Sequence, residues 1–213
     1  MKVIRSAITF IIIAILGIVL LVMSIRDKIE LSKPPANIAE MTEDDFYDGR
    51  FVEGDIYEIW NDYATLQQSD SMFGIKYNTK TTAHYFAMPL ETSFTTGVPK
   101  FVSIAVRDSS DLLTAQKMER ESLNYYNNDI ELVTTMHVKG KVTKLKKEAV
   151  EIFDEYMTNE GFTPSAVSVH YVINVGNDGS GSTAALLIGI GVTLAGLIGT
   201  FFAFVRGRRR GFW

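Results

Sequence analysis

The chain has 213 residues, of which 25 are acidic and 21 basic, and it contains no cysteine. The domain must therefore fold without disulfides. All 25 acidic residues but only 14 basic residues lie between Asp27 and Asp178, so this segment carries a net charge of −11. Because phosphate binding demands positive charge, we expect no nucleic-acid partner.

An apolar segment near the N-terminus is long enough to cross a bilayer. Residues 7–25 contain no charged residue and no histidine, and a spanning helix needs about 20 apolar residues. A signal peptide is the alternative, but no small-residue cleavage site follows, which favours an uncleaved transmembrane anchor over residues 1–25. Residues 26–40 form a linker, because Pro34 and Pro35 cannot continue a helix.

Residues 41–175 have the patterns of a mixed domain. Thr42, followed by acidic residues, is expected to begin a short helical turn. Alternating apolar residues predict strands, and apolar residues three or four apart predict helices. The predicted strands are 51–66, 84–90, 100–107, 133–145 and 167–175, and the predicted helices are 110–126 and 146–159.

This order of elements is that of an OB-like barrel with an extra helix before the last strand. We therefore expect an α+β fold in which two transmembrane helices flank a β-rich, OB-like, partly open barrel with two helices. A generic α+β sheet is the alternative. OB barrels often bind oligonucleotides or sugars, and the negative charge argues against the oligonucleotide.

A second apolar segment lies near the C-terminus. Glycine and serine in residues 176–183 predict a flexible tether, residues 184–205 a second transmembrane helix, and residues 206–213 a basic cytoplasmic tail. Basic residues flank the two spans on their outer sides: Lys2, Arg5, Arg206, Arg208, Arg209 and Arg210. Such residues stay on the cytoplasmic side. We therefore expect a multi-pass protein of the cell membrane with cytoplasmic termini and an extracytoplasmic central domain.

Small residues recur along the second span. One row, with a spacing of four, consists of Gly191, Ala195, Gly199 and Ala203, and a neighbouring row consists of Gly189, Thr193, Gly196 and Thr200. Small residues let helices approach closely in a bilayer. We expect the first row to pack against another helix, either the first span, where Gly17 is a contact point, or a second copy of the chain.

Residues that could carry chemistry are scattered. His84, His137 and His170 lie in predicted strands and could converge on zinc, but no ligand spacing supports such a site, and surface histidines are the simpler interpretation. Glu43, Asp44, Asp45 and Asp48 lack the spacing of a calcium loop, so helix capping explains them better. Without a nucleophile elbow or a phosphate-binding loop, we expect no enzyme, no cofactor and no metal site.

Three segments carry a family resemblance. Residues 48–56 (DGRFVEGDI), 84–90 (HYFAMPL) and Phe101–Val106 (FVSIAV) resemble uncharacterised two-span membrane proteins of Gram-positive bacteria. The resemblance implies no activity and no catalytic residue. The layout of span, β-rich domain and span is also similar to that of assembly factors of respiratory oxidases.

The function that these features favour is a membrane-anchored interaction or ligand-binding module. Its expected partners are the lipid bilayer and either another membrane or envelope protein or further copies of the chain. An accessory or assembly factor for a membrane complex is the first alternative. A metal-dependent or hydrolytic enzyme, assembled from residues distant in sequence, is the second.

Overall fold

The computed structural model of the protein describes residues 2–72, 75–94, 97–128 and 131–209. The chain divides into two compact units, one made of Met1–Lys33 with Gly179–Trp213 and one made of Pro34–Asp178. The helices are α1 (Lys2–Leu31), α2 (Glu91–Phe94), α3 (Ser109–Asn128), α4 (Lys147–Asn159), α5 (Pro164–Val167) and α6 (Ser182–Arg209). The strands are β1 (Ala36–Asn37), β2 (Phe51–Ile56), β3 (Asp62–Met72), β4 (Ile75–Pro89), β5 (Phe101–Val106), β6 (Met136–Lys144) and β7 (Ser168–Val175).

Both apolar segments form long helices. Windows of 18 residues within Ala7–Leu31 and Ser182–Arg206 have mean hydropathies of 3.1 and 2.2, and each stretch is long enough to cross a membrane. The two helices pack antiparallel, with Gly17 of α1 against Thr193 of α6 and Ala14 against Gly196. The first residues of α1 and the last residues of α6 therefore lie at the same end of this pair.

The central unit has the mixed α+β class that the sequence predicts. Seven strands of the described residues form one open sheet in the order β1-β2-β6-β7-β5-β4-β3. The pairs β1–β2 and β5–β7 are parallel and the others antiparallel. The turn predicted at Thr42 is confirmed: a 3₁₀ turn spans Glu43–Asp45, and the Thr42 backbone N–H donates to the Asp45 carboxylate at 2.9 Å.

The prediction of one strand over residues 51–66 is wrong. The chain leaves β2 at Ile56 and re-enters the sheet as β3 at Asp62, on the opposite edge. Between them Ile59 is fully buried, and the backbone N–H of Trp60 donates to the carbonyl of Ala87 at 2.7 Å. Apolar residues such as Ile59 and Trp60 continue through this crossing and hide it, because a buried connection has a composition similar to that of a strand.

This crossing shows that the sheet is strongly curled. In a flat sheet, five strand spacings would separate β2 from β3 by about 24 Å. The six residue-to-residue steps from Ile56 to Asp62 reach at most about 21 Å. Coiling of the sheet brings the two strands within reach of the short connection.

Other predicted boundaries differ mainly in the strands. β4 begins at Ile75 rather than at residue 84, and β6 begins at Met136 rather than at residue 133. Residues 75–83 read IKYNTKTTA and offer only a weak alternation, in which Ile75, Tyr77 and Ala83 are the apolar residues. Their strand conformation follows instead from antiparallel pairing with β3, which supplies backbone hydrogen bonds irrespective of side chains. Helices α3 and α4 lie within two residues of their predicted bounds.

The sheet buries side chains on both faces. One face packs with α3, whose buried residues include Ala115 and Met118, in a cluster with Phe86, Ile104 and Ile173. The other face packs with α4 in a second cluster, with members Ala87, Phe101, Ala105, Leu145, Phe153, Met157, Val167 and Val172. The alternation of strand side chains between two covered faces explains why β5 is buried along its whole length.

Candidate binding groove

The three histidines each bind a separate carboxylate. Nδ1 of His84 lies 2.5 Å from Asp62, Nδ1 of His137 lies 2.8 Å from Asp55, and Nε2 of His170 lies 2.9 Å from Asp154. Hydrogen bonds that His137 donates to Asp55 and then to Glu53 raise the pKa of this imidazole. Within the described residues, no group of three or more His, Cys, Asp or Glu is placed to hold a metal ion.

The acidic run after Thr42 stabilises a local turn. The Thr42 backbone N–H is the largest cause that lowers the pKa of Asp45, followed by the Thr42 hydroxyl and by Arg50. The Arg50 guanidinium lies 3.1 Å from the same carboxylate. Glu43 pairs with Lys100. These contacts give the run a structural role in the loop before β2.

The small residues of α6 divide between two surfaces. Ala203 is buried in the helix pair, and a Cβ at Gly199 would meet the ring of Phe10. Gly191 and Ala195 are exposed, and a Cβ at Gly191 would meet nothing within 4 Å. Lys2, Arg5, Arg206, Arg208 and Arg209 lie in the terminal turns of α1 and α6. Arg210 lies outside the described residues.

An open groove of about 360 Å³ lies on the α4 side of the sheet. Strands β3, β4 and β7 and the end of β6 form its floor, and the first half of α4 forms one wall. The described residues that line it are Tyr63, Ala64, Thr65, Leu66, Tyr85, Arg107, Thr143, Lys144, Leu145, Lys146, Glu148, Ala149, Ile152, Val172 and Asn174. Its size falls in the range of small-molecule and peptide pockets.

A hydrogen-bonded line of polar groups crosses the floor. The Arg107 guanidinium donates to the side-chain oxygen of Asn174 at 3.0 Å. The Asn174 amide donates in turn to the Thr143 hydroxyl at 2.8 Å and to the Lys141 carbonyl at 3.3 Å. Asn174 is buried, so these bonds offset the cost of removing its amide from water. The network therefore holds Arg107 at the groove.

The groove is cationic inside an acidic unit. Arg107, Lys144 and Lys146 are exposed, whereas Glu148 is the single acidic residue among the described lining residues. In the part of the chain that the structure describes, no ion pair engages the three cationic side chains. Guanidinium and ammonium groups without a carboxylate partner are suited to bind the carboxylate or phosphate of a ligand.

Apolar surface continues from the cationic rim. Leu66 on β3 and Ile152 on α4 are 46% and 45% exposed and face the same groove. Beneath them the Tyr63 hydroxyl bonds to Ser103 at 2.6 Å, and burial raises the pKa of this phenol, so it stays neutral. The arrangement can bind a ligand that joins an anionic group to an apolar body.

Sequence reasoning missed this groove, because its lining comes from four strands, one helix and the residue that follows β5. Asn174 was the available signal, since a buried amide near the end of an apolar strand requires partners from neighbouring strands. The partners Arg107 and Thr143 become visible only when β5, β6 and β7 are aligned.

Comparison with known proteins adds one finding. No match is found among the curated proteins. A family described as a domain of unknown function, DUF8577, matches residues 1–205 and so covers both apolar helices and the whole central unit. The chain therefore belongs to the DUF8577 family.

Proposed function

We propose that the protein is a membrane-anchored binding module whose groove holds an acidic, partly apolar segment of another envelope protein. The single observation that carries this proposal is the set of Arg107, Lys144 and Lys146 around an apolar floor. A cationic site in a unit of net charge −11 is unexpected unless an anionic ligand uses it. The two helices provide the anchor.

The proposal includes a membrane topology. Basic residues at both ends of the chain favour cytoplasmic termini, and the antiparallel α1–α6 pair supports placing both ends on one side. The central unit then lies outside the cytoplasm. Because the chain has no cysteine, a single cysteine can report its side. Lys147→Cys, at a side chain 87% exposed, should react with a membrane-impermeant maleimide in intact cells, whereas Arg206→Cys should react only after permeabilisation.

Site-specific photo-crosslinking tests the groove. Benzoylphenylalanine at Ile152 should capture a discrete partner in cells, identified by mass spectrometry. The matched control carries the same group at Leu113 of α3, which is 68% exposed and lies outside the groove. Equal labelling of one partner from both positions would refute the groove as the contact.

Variants that remove positive charge from the groove test whether its partner is acidic. Lys144→Gln with Lys146→Gln should lower the Ile152 crosslink about tenfold, since each lost charge-assisted hydrogen bond costs about 0.7 kcal/mol at an exposed site. Lys117→Gln with Lys147→Gln removes the same charge elsewhere and should leave the crosslink unchanged. An unchanged crosslink in the groove variant would refute an acidic partner.

The accessory role and the OB-like barrel stay predictions. Purification of the full chain in mild detergent addresses the accessory role, because a reproducible membrane complex would identify a pathway. The proposed groove depends on the observed order of strands in the sheet and on α4, and not on whether the fold is OB-like.

A further inference from the structure

A second cavity of the central unit differs from the groove in the charge of its lining, because its ionisable groups are acidic rather than basic. It has a volume of about 230 Å³ and lies between α3, α4 and the connection that follows β2. The described residues that line it are Trp60, Asn61, Glu119, Ser122, Leu123, Tyr126, Asn127, Tyr156 and Glu160. We refer to this cavity as the aromatic pocket. Its volume is below the about 300–1,000 Å³ of drug-sized sites, so it suits a small ligand.

Two aromatic rings form adjoining walls. The rings of Trp60 and Tyr126 lie 5.5 Å apart at an angle of 74°, so they meet nearly at a right angle. Trp60 is fixed from behind by Phe101 at 4.7 Å and by Phe162 at 5.9 Å between ring centroids. The rigid backing means that Trp60 does not have to be ordered when a ligand binds, which lowers the entropic cost of binding.

The carboxylate of Glu58 holds both rings in position by hydrogen bonds. Oε1 of Glu58 accepts a hydrogen bond from Nε1 of Trp60 at 2.5 Å and another from the hydroxyl of Tyr126 at 2.7 Å. Both polar edges are thereby directed toward Glu58. The Tyr126 ring is 55% exposed, and this bond gives an otherwise mobile side chain a defined position. The same carboxylate adds negative charge behind the walls.

A third ring and two carboxylates complete the lining. Tyr156 is held by stacking on Tyr63 at 5.5 Å and 16°. Glu119 and Glu160 line the cavity together with Tyr156. Burial is the largest cause that raises the pKa of Tyr156, and the negative charges of Glu160 and Glu119 raise it further. Glu119 also accepts the Asp62 backbone N–H at 3.0 Å. Among the described lining residues none is Lys, Arg or His.

From this combination we infer that the aromatic pocket binds a small organic ammonium ion, with a quaternary ammonium such as choline as its best ligand. The negative faces of aromatic rings attract ammonium groups. The carboxylates supply the net charge. An anion would be repelled by Glu119 and Glu160, and a neutral ligand would gain no attraction from their charges. This inference does not depend on the proposed function of the groove, so a negative result for one cavity does not contradict the proposal for the other.

The fluorescence of Trp60 can be used to measure ligand binding in the aromatic pocket. The chain contains two tryptophans, Trp60 and Trp213, so Trp213→Phe isolates the pocket signal in the full chain, purified in a maltoside detergent that carries no ammonium group. Titration with choline should change Trp60 fluorescence saturably. The neutral isostere 3,3-dimethylbutan-1-ol has the same shape without the charge. Saturation by choline alone is expected, and an equal response to both compounds would overturn the inference.

Two variants locate the charge. Glu160→Gln should weaken choline binding about fivefold, by loss of one nearby charge at a partly exposed site. Glu155→Gln, on α4 shortly before Glu160, lies outside the lining and serves as the matched control. Equal affinities for the two variants would overturn the assignment of the carboxylate. Tyr126→Leu should abolish saturable binding while circular dichroism stays unchanged.

A third titration identifies the source of the ammonium group. Glycerophosphocholine carries choline as a phosphodiester, as lipid headgroups do, and its phosphate would approach Glu119 and Glu160. Affinity equal to that of choline supports recognition of a headgroup. Affinity about tenfold lower, by repulsion between like charges, supports a free ammonium compound. The absence of saturable binding by choline and by glycerophosphocholine would overturn the inference.

Discussion

Replacement of Phe153 by alanine is expected to destabilise the central unit severely. Phe153 lies on α4, is fully buried, and packs its ring 5.1 Å from that of Tyr63, beneath the groove. Truncation removes about 100 Å² of apolar surface, and at about 25 cal/mol per Å² this corresponds to about 2.5 kcal/mol. The residual cavity adds about 1–2 kcal/mol, so Phe153→Ala should lower the free energy of unfolding by about 4 kcal/mol.

The neighbouring residue supplies the control. Ile152 is 45% exposed on the same helix turn, so Ile152→Ala should cost less than about 1 kcal/mol. Urea unfolding of the full chain in maltoside detergent, followed by Trp60 fluorescence in a Trp213→Phe background, measures both variants. If their free energies of unfolding agree within about 1 kcal/mol, α4 does not pack on the sheet as described. A decrease in the free energy of unfolding for Phe153→Ala alone supports the packing of α4 on the sheet.

Two further substitutions test other contacts. Gly196→Val should separate α1 from α6, because its Cβ would lie 2.5 Å from the backbone nitrogen of Ala14, whereas Gly191→Val should be tolerated since nothing lies within 4 Å. Crosslinking yield between cysteines engineered into the two helices measures this difference, and equal yields would contradict the helix pairing. Glu121→Gln should cost about 1 kcal/mol at neutral pH, because the carboxylate accepts bonds from the Thr134 hydroxyl at 2.6 Å and backbone N–H at 2.7 Å. These bonds, the hydroxyl first, hold the pKa of Glu121 below its ordinary value of 4.5, so the contribution is complete above that value and disappears as pH falls through the lowered pKa. Unfolding free energies of wild type and variant should converge in acid, and a constant difference would refute this role.

Sequence patterns predicted most of the secondary structure but neither the groove nor the aromatic pocket. The amphipathic stripe of α4 and the alternation in β7 are local, so they could be recognised from single segments. The connection at Ile59 was missed because its burial depends on distant parts of the chain. The polar half of β4 was missed because its strand conformation comes from backbone pairing with β3. The groove and the aromatic pocket draw on residues far apart in the chain.

The amino-acid sequence by itself determined the two apolar helices, the acidic charge of the segment between them and the mixed α+β class. Each of these follows from composition or from periodicity within one segment. Only the tertiary structure decided that β2 and β3 lie on opposite sides of the sheet, that Arg107 is held by Asn174, and that Trp60 meets Tyr126 beside two carboxylates. Such contacts depend on strand order and sheet curvature, which result from the packing of the whole domain and which no local pattern encodes.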